Sequence, residues 1–155
     1  MARALSLVLL FALAACDTVG PVAVSNPVVA PVTEDLPAID PADVATVEAY
    51  HARRAALDAE IRAAIDPSAS GPQACWLLPL GHKACGGPVQ YLVYGASTPS
   101  APQVLRLARE LYALDVAAQE ALGLASTCDI APVPEVRYAD GQCSSALLEG
   151  VPVRE

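Results

Sequence analysis

Hydrophobic residues recur at helical spacing between residues 100 and 123. Ser100 and Gln103 have the spacing of an N-terminal capping box, in which each side chain bonds to the other residue's backbone N–H. Gly123 is a typical residue directly after a helix. Apolar positions three or four residues apart predict one buried helix face. The positions are Val104, Leu107, Leu111, Leu114 and Ala118. The pattern therefore predicts a long helix that packs on its own domain.

A first helix is predicted to run from residue 40 to residue 65. Asp40 and Pro41 are the preferred residue types for the N-cap and the first helical position. Asp66-Pro67 should end the helix, because a residue before proline avoids the helical conformation. Arg54 interrupts an otherwise apolar stripe. The stripe consists of Val44, Val47, Tyr50, Leu57 and Ile61.

Two pairs of short strands are predicted around these helices. Residues 76–80 and 89–94 are apolar and rich in residues that favour strands, and the turn-forming residues 86–88 lie between them. Residues 135–148 form a second hairpin candidate, because Asp140-Gly141 is a strong signal for a two-residue turn. Each pair should form a β-hairpin.

Four cysteines lie in or beside these hairpins: Cys75, Cys85, Cys128 and Cys143. In an exported chain, four cysteines predict two disulfides, with three possible pairings. We favour the local pairs Cys75–Cys85 and Cys128–Cys143, because the second helix separates them along the chain. The spacing does not fit a zinc site. The predicted fold class is α+β, with two amphipathic helices packed with short β-hairpins and stapled by two disulfides.

The N-terminus has the features of a secretory signal. Arg3 precedes an apolar run over residues 5–15, which is shorter than the roughly 20 residues that a membrane-spanning helix needs. Leu13-Ala14-Ala15-Cys16 resembles the lipobox of bacterial lipoproteins. The resemblance implies a signal peptide over residues 1–15, a lipidated Cys16 and attachment to a membrane of the bacterial cell envelope. An ordinary cleavage near the same point, which leaves Cys16 as a spare thiol, is the alternative.

Residues 16–39 are predicted to be a tether between the lipid anchor and a domain over residues 40–155. Proline recurs through this segment and favours extended or disordered chain. The prolines are Pro21, Pro27, Pro31 and Pro37. The intervening valines can instead form a strand, although proline is disfavoured inside a sheet.

Composition excludes one class of partner. The formal net charge is −8, which argues against binding to nucleic acid. Residues 85–88 (Cys-Gly-Gly-Pro) and 91–94 (Tyr-Leu-Val-Tyr) together resemble a block found in uncharacterised bacterial envelope proteins. That resemblance implies no activity.

No catalytic residue, cofactor or metal ligand is predicted. The chain has no G-x-S-x-G motif and no H-x-x-x-H pair, and His51 is interpreted as a solvated helix residue. His82 and Lys83 are adjacent in the first hairpin turn. We hypothesise that they form a binding tip on a Cys75–Cys85 loop, which can enter an acidic pocket of another envelope protein and inhibit an envelope hydrolase.

Three other interpretations of this stretch remain open. It can be a purely structural bend, part of a small-ligand carrier, or the site of an envelope hydrolase. Aromatic side chains for a ligand pocket are Trp76, Tyr91 and Tyr94, which can equally fill the core. The predicted function is that of a lipid-anchored envelope protein that acts by binding or structural interaction rather than catalysis.

Overall fold

A computed structural model of the chain describes residues 20–146. The predicted signal peptide over residues 1–15, the predicted lipidation site Cys16 and the last nine residues lie outside this range. Two long helices and five strands occur in the described part. They are β1 (Val22–Ala23), α1 (Val47–Ala64), β2 (Cys75–Leu80), β3 (Gln90–Gly95), α2 (Ala101–Leu122), β4 (Glu135–Ala139) and β5 (Gln142–Ala146).

The first helix begins later than predicted. Asp40 does accept a hydrogen bond from the backbone N–H of Ala42, but it caps only a short 3-10 turn over Pro41–Val44. The α-helix starts anew at Val47, where Thr46 accepts from the N–H of Ala49. Tyr50, Leu57 and Ile61 are buried as predicted, whereas Val47 in the first turn is exposed.

The second helix has the predicted buried face, and its five apolar positions are all buried. The predicted capping box is wrong, because Ser100 already has helical backbone angles and its side chain caps nothing. Its hydroxyl lies 3.3 Å from the Thr98 hydroxyl instead. Gly123 ends the helix in the left-handed conformation as predicted, and its N–H donates to the carbonyl of Gln119.

Both predicted hairpins form, in two separate antiparallel sheets. β2 pairs with β3 from Cys75 opposite Gly95 to Leu80 opposite Gln90. β4 pairs with β5 through a turn in which Asp140 and Gly141 both have positive φ, as a tight two-residue hairpin requires. β1 adds to the outer edge of β4. The predicted α+β class is confirmed.

The Pro-rich segment differs from the predicted free tether. β1 pairs with β4, and the chain next meets the outer edge of β2, where the Leu77 N–H donates to the Val28 carbonyl at 2.8 Å. The Ala30 N–H then donates to the Leu77 carbonyl at 2.8 Å. Val24 and Val32 are buried. Proline is tolerated at a sheet edge, so the segment joins the fold through its non-proline residues. Residues 22–32 therefore pack on the strands of the domain and are not a free tether.

The favoured disulfide pairing is also wrong. Cys75 pairs with Cys143 and Cys85 pairs with Cys128, with Cα–Cα distances of 5.5 and 5.4 Å. Helix α2 does not keep the cysteine pairs apart, because the chain folds the two hairpins against each other. Residues 66–69 join the hairpins: Gly95 N–H donates to Asp66 and Cys143 N–H to Pro67. The predicted Cys75–Cys85 loop therefore does not exist.

Two groups of buried side chains hold the domain. The larger group packs both helices on β2 and β3 and includes Leu57, Leu78, Leu107 and Leu111. The smaller group surrounds the Cys75–Cys143 disulfide. Where the helices meet the loop after β2, polar side chains replace the apolar packing, and this end of the domain carries the candidate site.

Candidate binding cleft

Both histidines of the chain line one cleft of about 420 Å³. Helix α1 contributes His51 and Arg54, and α2 contributes Gln119. The loop that follows β2 contributes His82 and Lys83, and residues 124–126 complete the lining. We call this the histidine cleft.

Helix α1 directs a polar edge toward the cleft because its apolar stripe is narrow. Tyr50 and Leu57 point into the core, while Arg54 lies one helical turn from each and is only partly exposed. His51 is exposed and its ring lies against the Tyr50 ring, with 5.0 Å between centroids. Arg54, which interrupts the apolar stripe of α1 in the sequence, is therefore a residue of the cleft.

A buried carboxylate organises the inner end of the cleft. Asp115 of α2 has 1% relative exposure. Its Oδ1 accepts from the Tyr50 hydroxyl at 3.0 Å and from the Arg54 Nε at 3.1 Å. Its Oδ2 accepts from the backbone N–H of His82 at 2.7 Å. Because both oxygens are occupied, this carboxylate joins α1, α2 and the loop after β2 at one point.

The tyrosine of this group stays a hydrogen-bond donor. Burial, followed by the negative charge of Asp115, raises the pKa of Tyr50 to about 12. The phenol is therefore protonated at neutral pH and can donate to the carboxylate. Tyr50 thus serves as a neutral partner of Asp115, and Arg54 as its charged partner.

Gly81 permits the loop to come this close to Asp115. Its φ is +72°, and a Cβ built there would lie 2.8 Å from Asp115 Oδ2 and 3.0 Å from an Arg54 terminal nitrogen. A side chain at this position would push the loop away from α2. The short distance between the His82 N–H and Asp115 therefore depends on glycine at position 81.

Lys83 is buried, so the predicted exposed tip is wrong for this residue. Its exposed fraction is 8%, and its Nζ donates to the Asp129 carbonyl at 2.6 Å and to Asp129 Oδ2 at 3.1 Å. A hydrogen bond from Thr127, together with the one from Lys83, lowers the pKa of Asp129. The lysine ties the loop after β2 to the segment that precedes β4.

His82 is part of the cleft wall and not a projecting side chain. Its ring lies 4.7 Å from the Tyr112 ring, and its carbonyl accepts from Gln119 Nε2 at 2.9 Å. The exposed Cys85–Cys128 disulfide joins the same two segments that Lys83 and Asp129 join. The wall is therefore held by a covalent bond and an ion pair.

The three aromatic residues predicted for a ligand pocket do not come together. Tyr94 is 2% exposed in the core and meets Trp76 edge to face, and its burial raises its pKa. Tyr91 lines a separate groove between β3 and β5. These residues therefore belong to packing and to another surface, and none of them lines the histidine cleft.

No family model, curated protein or solved structure matches the chain. Among residues 20–146, no helix is long and apolar enough to cross a membrane. Within the same range, no three His, Cys, Asp or Glu side chains are grouped so that they could hold a metal ion. In that range, too, no Ser or Thr hydroxyl is hydrogen-bonded to a histidine ring.

The sequence interpretation missed the two residues at the centre of the site, although each left a signal. Asp115 lies four residues after Leu111, on the apolar face of α2, and Arg54 lies on the apolar stripe of α1. One charged residue on the apolar face of each of two packed helices indicates a buried pair, because an unpaired buried charge is costly.

Proposed function

We propose that the protein is exported, attached to a bacterial envelope membrane through a lipidated Cys16, and acts by binding a ligand in the histidine cleft. The likeness of residues 13–16 to a lipobox supports the attachment. The two disulfides support export, because such bonds persist in oxidising compartments. This function is a binding function, and no catalytic step is part of it.

The observation that carries the binding proposal is the rigid construction of the cleft. Asp115 connects both helices to the loop after β2, and the ion pair Lys83–Asp129 and the disulfide Cys85–Cys128 fix the opposite wall. A site whose side chains are already held loses little conformational entropy on binding.

A tip that enters a partner enzyme is not part of this proposal. The Cys75–Cys85 loop on which the inhibitor hypothesis depended is absent, because each of these cysteines pairs elsewhere. Lys83, the side chain that would have projected, is buried against Asp129. The proposed partner therefore enters this protein, and not the reverse.

Membrane fractionation tests the anchor. With Cys16→Ser we expect release from the membrane or an uncleaved precursor, together with loss of labelling by radioactive palmitate. Wild-type protein expressed in parallel is the control. If the variant is still recovered as a mature, acylated membrane protein, the attachment through Cys16 is wrong.

Site-specific photo-crosslinking in intact cells tests the cleft. A photoreactive amino acid at His51, which lines the cleft, should give a light-dependent adduct of defined mass. The same amino acid at Ala59, an exposed position of α1 away from the cleft, is the matched control. Equal adducts from both positions, or none from His51, would contradict binding in the cleft, and release of a chemically converted ligand would replace binding with catalysis.

A further inference from the structure

We infer that the histidine cleft binds its ligand through a single carboxylate, and that the guanidinium of Arg54 holds this group. The inference rests on the proposed binding function and specifies the chemistry of the ligand. It names a monocarboxylate with a small apolar body, either as a free acid or as the C-terminus of a peptide.

The first argument is that Arg54 is held in place but only partly used. Its Nε donates to Asp115 and it also interacts with the Tyr50 hydroxyl, whereas no hydrogen bond joins its two terminal nitrogens to a carboxylate among residues 20–146. The side chain is 28% exposed and lines the cleft. A guanidinium presents its donors as a planar fork, which matches the two oxygens of a carboxylate.

The second argument is that the orientation of Arg54 is fixed by a carboxylate that cannot turn away. Asp115 holds the His82 N–H with its second oxygen, and the Tyr50 hydroxyl shares the first. Rotation of Asp115 would leave buried donors without partners, at a cost. The terminal nitrogens of Arg54 are therefore presented to the cleft without a further ordering step.

The charge balance of the cleft disfavours a ligand with more than one negative charge. Arg54 faces Asp115, and Lys83 faces Asp129, so two cations are balanced by two anions when both histidines are counted as neutral. A ligand with one negative charge gains two hydrogen bonds from the Arg54 guanidinium, and it does not need a second, unpaired cation in the cleft. A dianion such as phosphate would meet no such cation in the cleft.

The remaining lining accounts for the apolar body. Val89, which is 40% exposed, and Leu124 lie in the cleft beside the polar groups. Ligand sites commonly combine an apolar wall with a few fixed polar groups, and the volume of about 420 Å³ lies within their usual range. The cleft can thus hold a short aliphatic chain or a terminal apolar residue.

Isothermal titration calorimetry on the full chain, purified in detergent under oxidising conditions, tests this inference. N-acetyl-leucine represents a peptide C-terminus and hexanoate represents a free aliphatic acid. Each is paired with its uncharged amide, and inorganic phosphate is the dianionic probe. We expect at least one acid to bind about tenfold or more tightly than its amide, because the charge-assisted hydrogen bonds are lost in the amide. The better of the two acids identifies the source.

Arg54→Lys is the variant that tests the fork, since it keeps the positive charge and the balance with Asp115. We expect its affinity for the acid to fall about tenfold, because an ammonium lacks the planar pair of donors. Arg53→Lys is the matched control. It changes the neighbouring arginine, which pairs with Glu110 outside the cleft, and should bind as wild type does. Circular dichroism of both variants verifies the fold.

Equal binding of acid and amide, tighter binding of phosphate, or unchanged affinity in folded Arg54→Lys would overturn the inference. If no acid binds while photo-crosslinking at His51 still gives its specific adduct, the carboxylate is wrong and the binding function remains. Failure of both experiments removes the binding function itself. Should Arg54→Lys not fold, the comparison of acids with amides on wild-type protein decides alone.

Discussion

The two disulfides of this domain belong to different environments. Cys75–Cys143 is buried, with 1% and 5% exposure, and joins the two hairpins inside an apolar group of side chains. Cys85–Cys128 is exposed and joins two loop segments beside the histidine cleft, which is lined by the neighbouring Ala84 and Ser126. The chain-entropy model does not distinguish them, because sequence separations of 68 and 43 both correspond to about 4 kcal/mol. The surroundings of the two disulfides do distinguish them. Cys75–Cys143 belongs to the core, and Cys85–Cys128 belongs to the candidate site.

Of the changes considered, removal of a disulfide should have the largest effect on the free energy of unfolding. We expect Cys75→Ser with Cys143→Ser to lower the free energy of unfolding by about 5 kcal/mol or more, since two hydroxyls also enter an apolar interior. Cys85→Ser with Cys128→Ser should cost at least about 1 kcal/mol less, because those hydroxyls remain solvated. Urea unfolding measures both. If removal of the exposed disulfide lowers the unfolding free energy as much as or more than removal of the buried one, the distinction between the two disulfides is wrong.

Asp115→Asn tests the polar group at the cleft end of the core. We expect a loss of about 3 kcal/mol in unfolding free energy, because the buried Arg54 interaction is weakened and an amide N–H faces donors. Glu110→Gln is the control, since its ion pair with Arg53 is only partly buried and should contribute about 1 kcal/mol or less. If the two substitutions cost the same, Asp115 does not organise the cleft.

The Pro-rich segment offers a comparison between a buried valine and an exposed one. Val32→Ser should cost about 2 kcal/mol of unfolding free energy, because that side chain is 4% exposed. Val29→Ser should cost about 0.5 kcal/mol or less, because Val29 is 53% exposed and contributes mainly its backbone. Thermal or urea unfolding of both variants is the measurement. If both substitutions lower the unfolding free energy by the same small amount, the segment is a free tether as the sequence predicted.

The smallest effect is a pH dependence from Tyr50. Its pKa is raised by folding from 10.0 to about 12, so its contribution to stability is complete below pH 10. The contribution is lost as pH rises from 10 through 12, because the unfolded chain releases the phenolic proton more readily. Ultraviolet difference absorbance should show a tyrosine that ionises near pH 12 and is missing in Tyr50→Phe. Persistence of that titration in Tyr50→Phe would contradict the assignment.

Local structure was largely predictable because it depends on neighbouring residues. Asp140-Gly141 predicted the second hairpin, and the apolar spacing in residues 104–118 predicted the buried face of α2. The start of α1 was misplaced because Asp40 and Thr46 are both good caps, and only the backbone shows that the first serves a 3-10 turn.

Long-range contacts were not predictable from spacing. The order of four cysteines permits three pairings, and only the packing of one hairpin on the other brings Cys75 to Cys143. Lys83 was expected at the surface because lysine usually lies there, but Asp129, which follows 46 residues later, provides a partner that allows its burial. The candidate site consists of such contacts, so the sequence indicated His82 and Lys83 without their surroundings.

Titration of N-acetyl-leucine and hexanoate into wild type and into the Cys85→Ser, Cys128→Ser double variant tests the central claim most directly. The claim is that the exposed bridge, besides its contribution to stability, holds a wall of the binding cleft. The account predicts a variant that remains folded by near-ultraviolet circular dichroism and binds the preferred acid about tenfold more weakly, since the wall must now be ordered on binding. A folded variant with the affinity of wild type would contradict it.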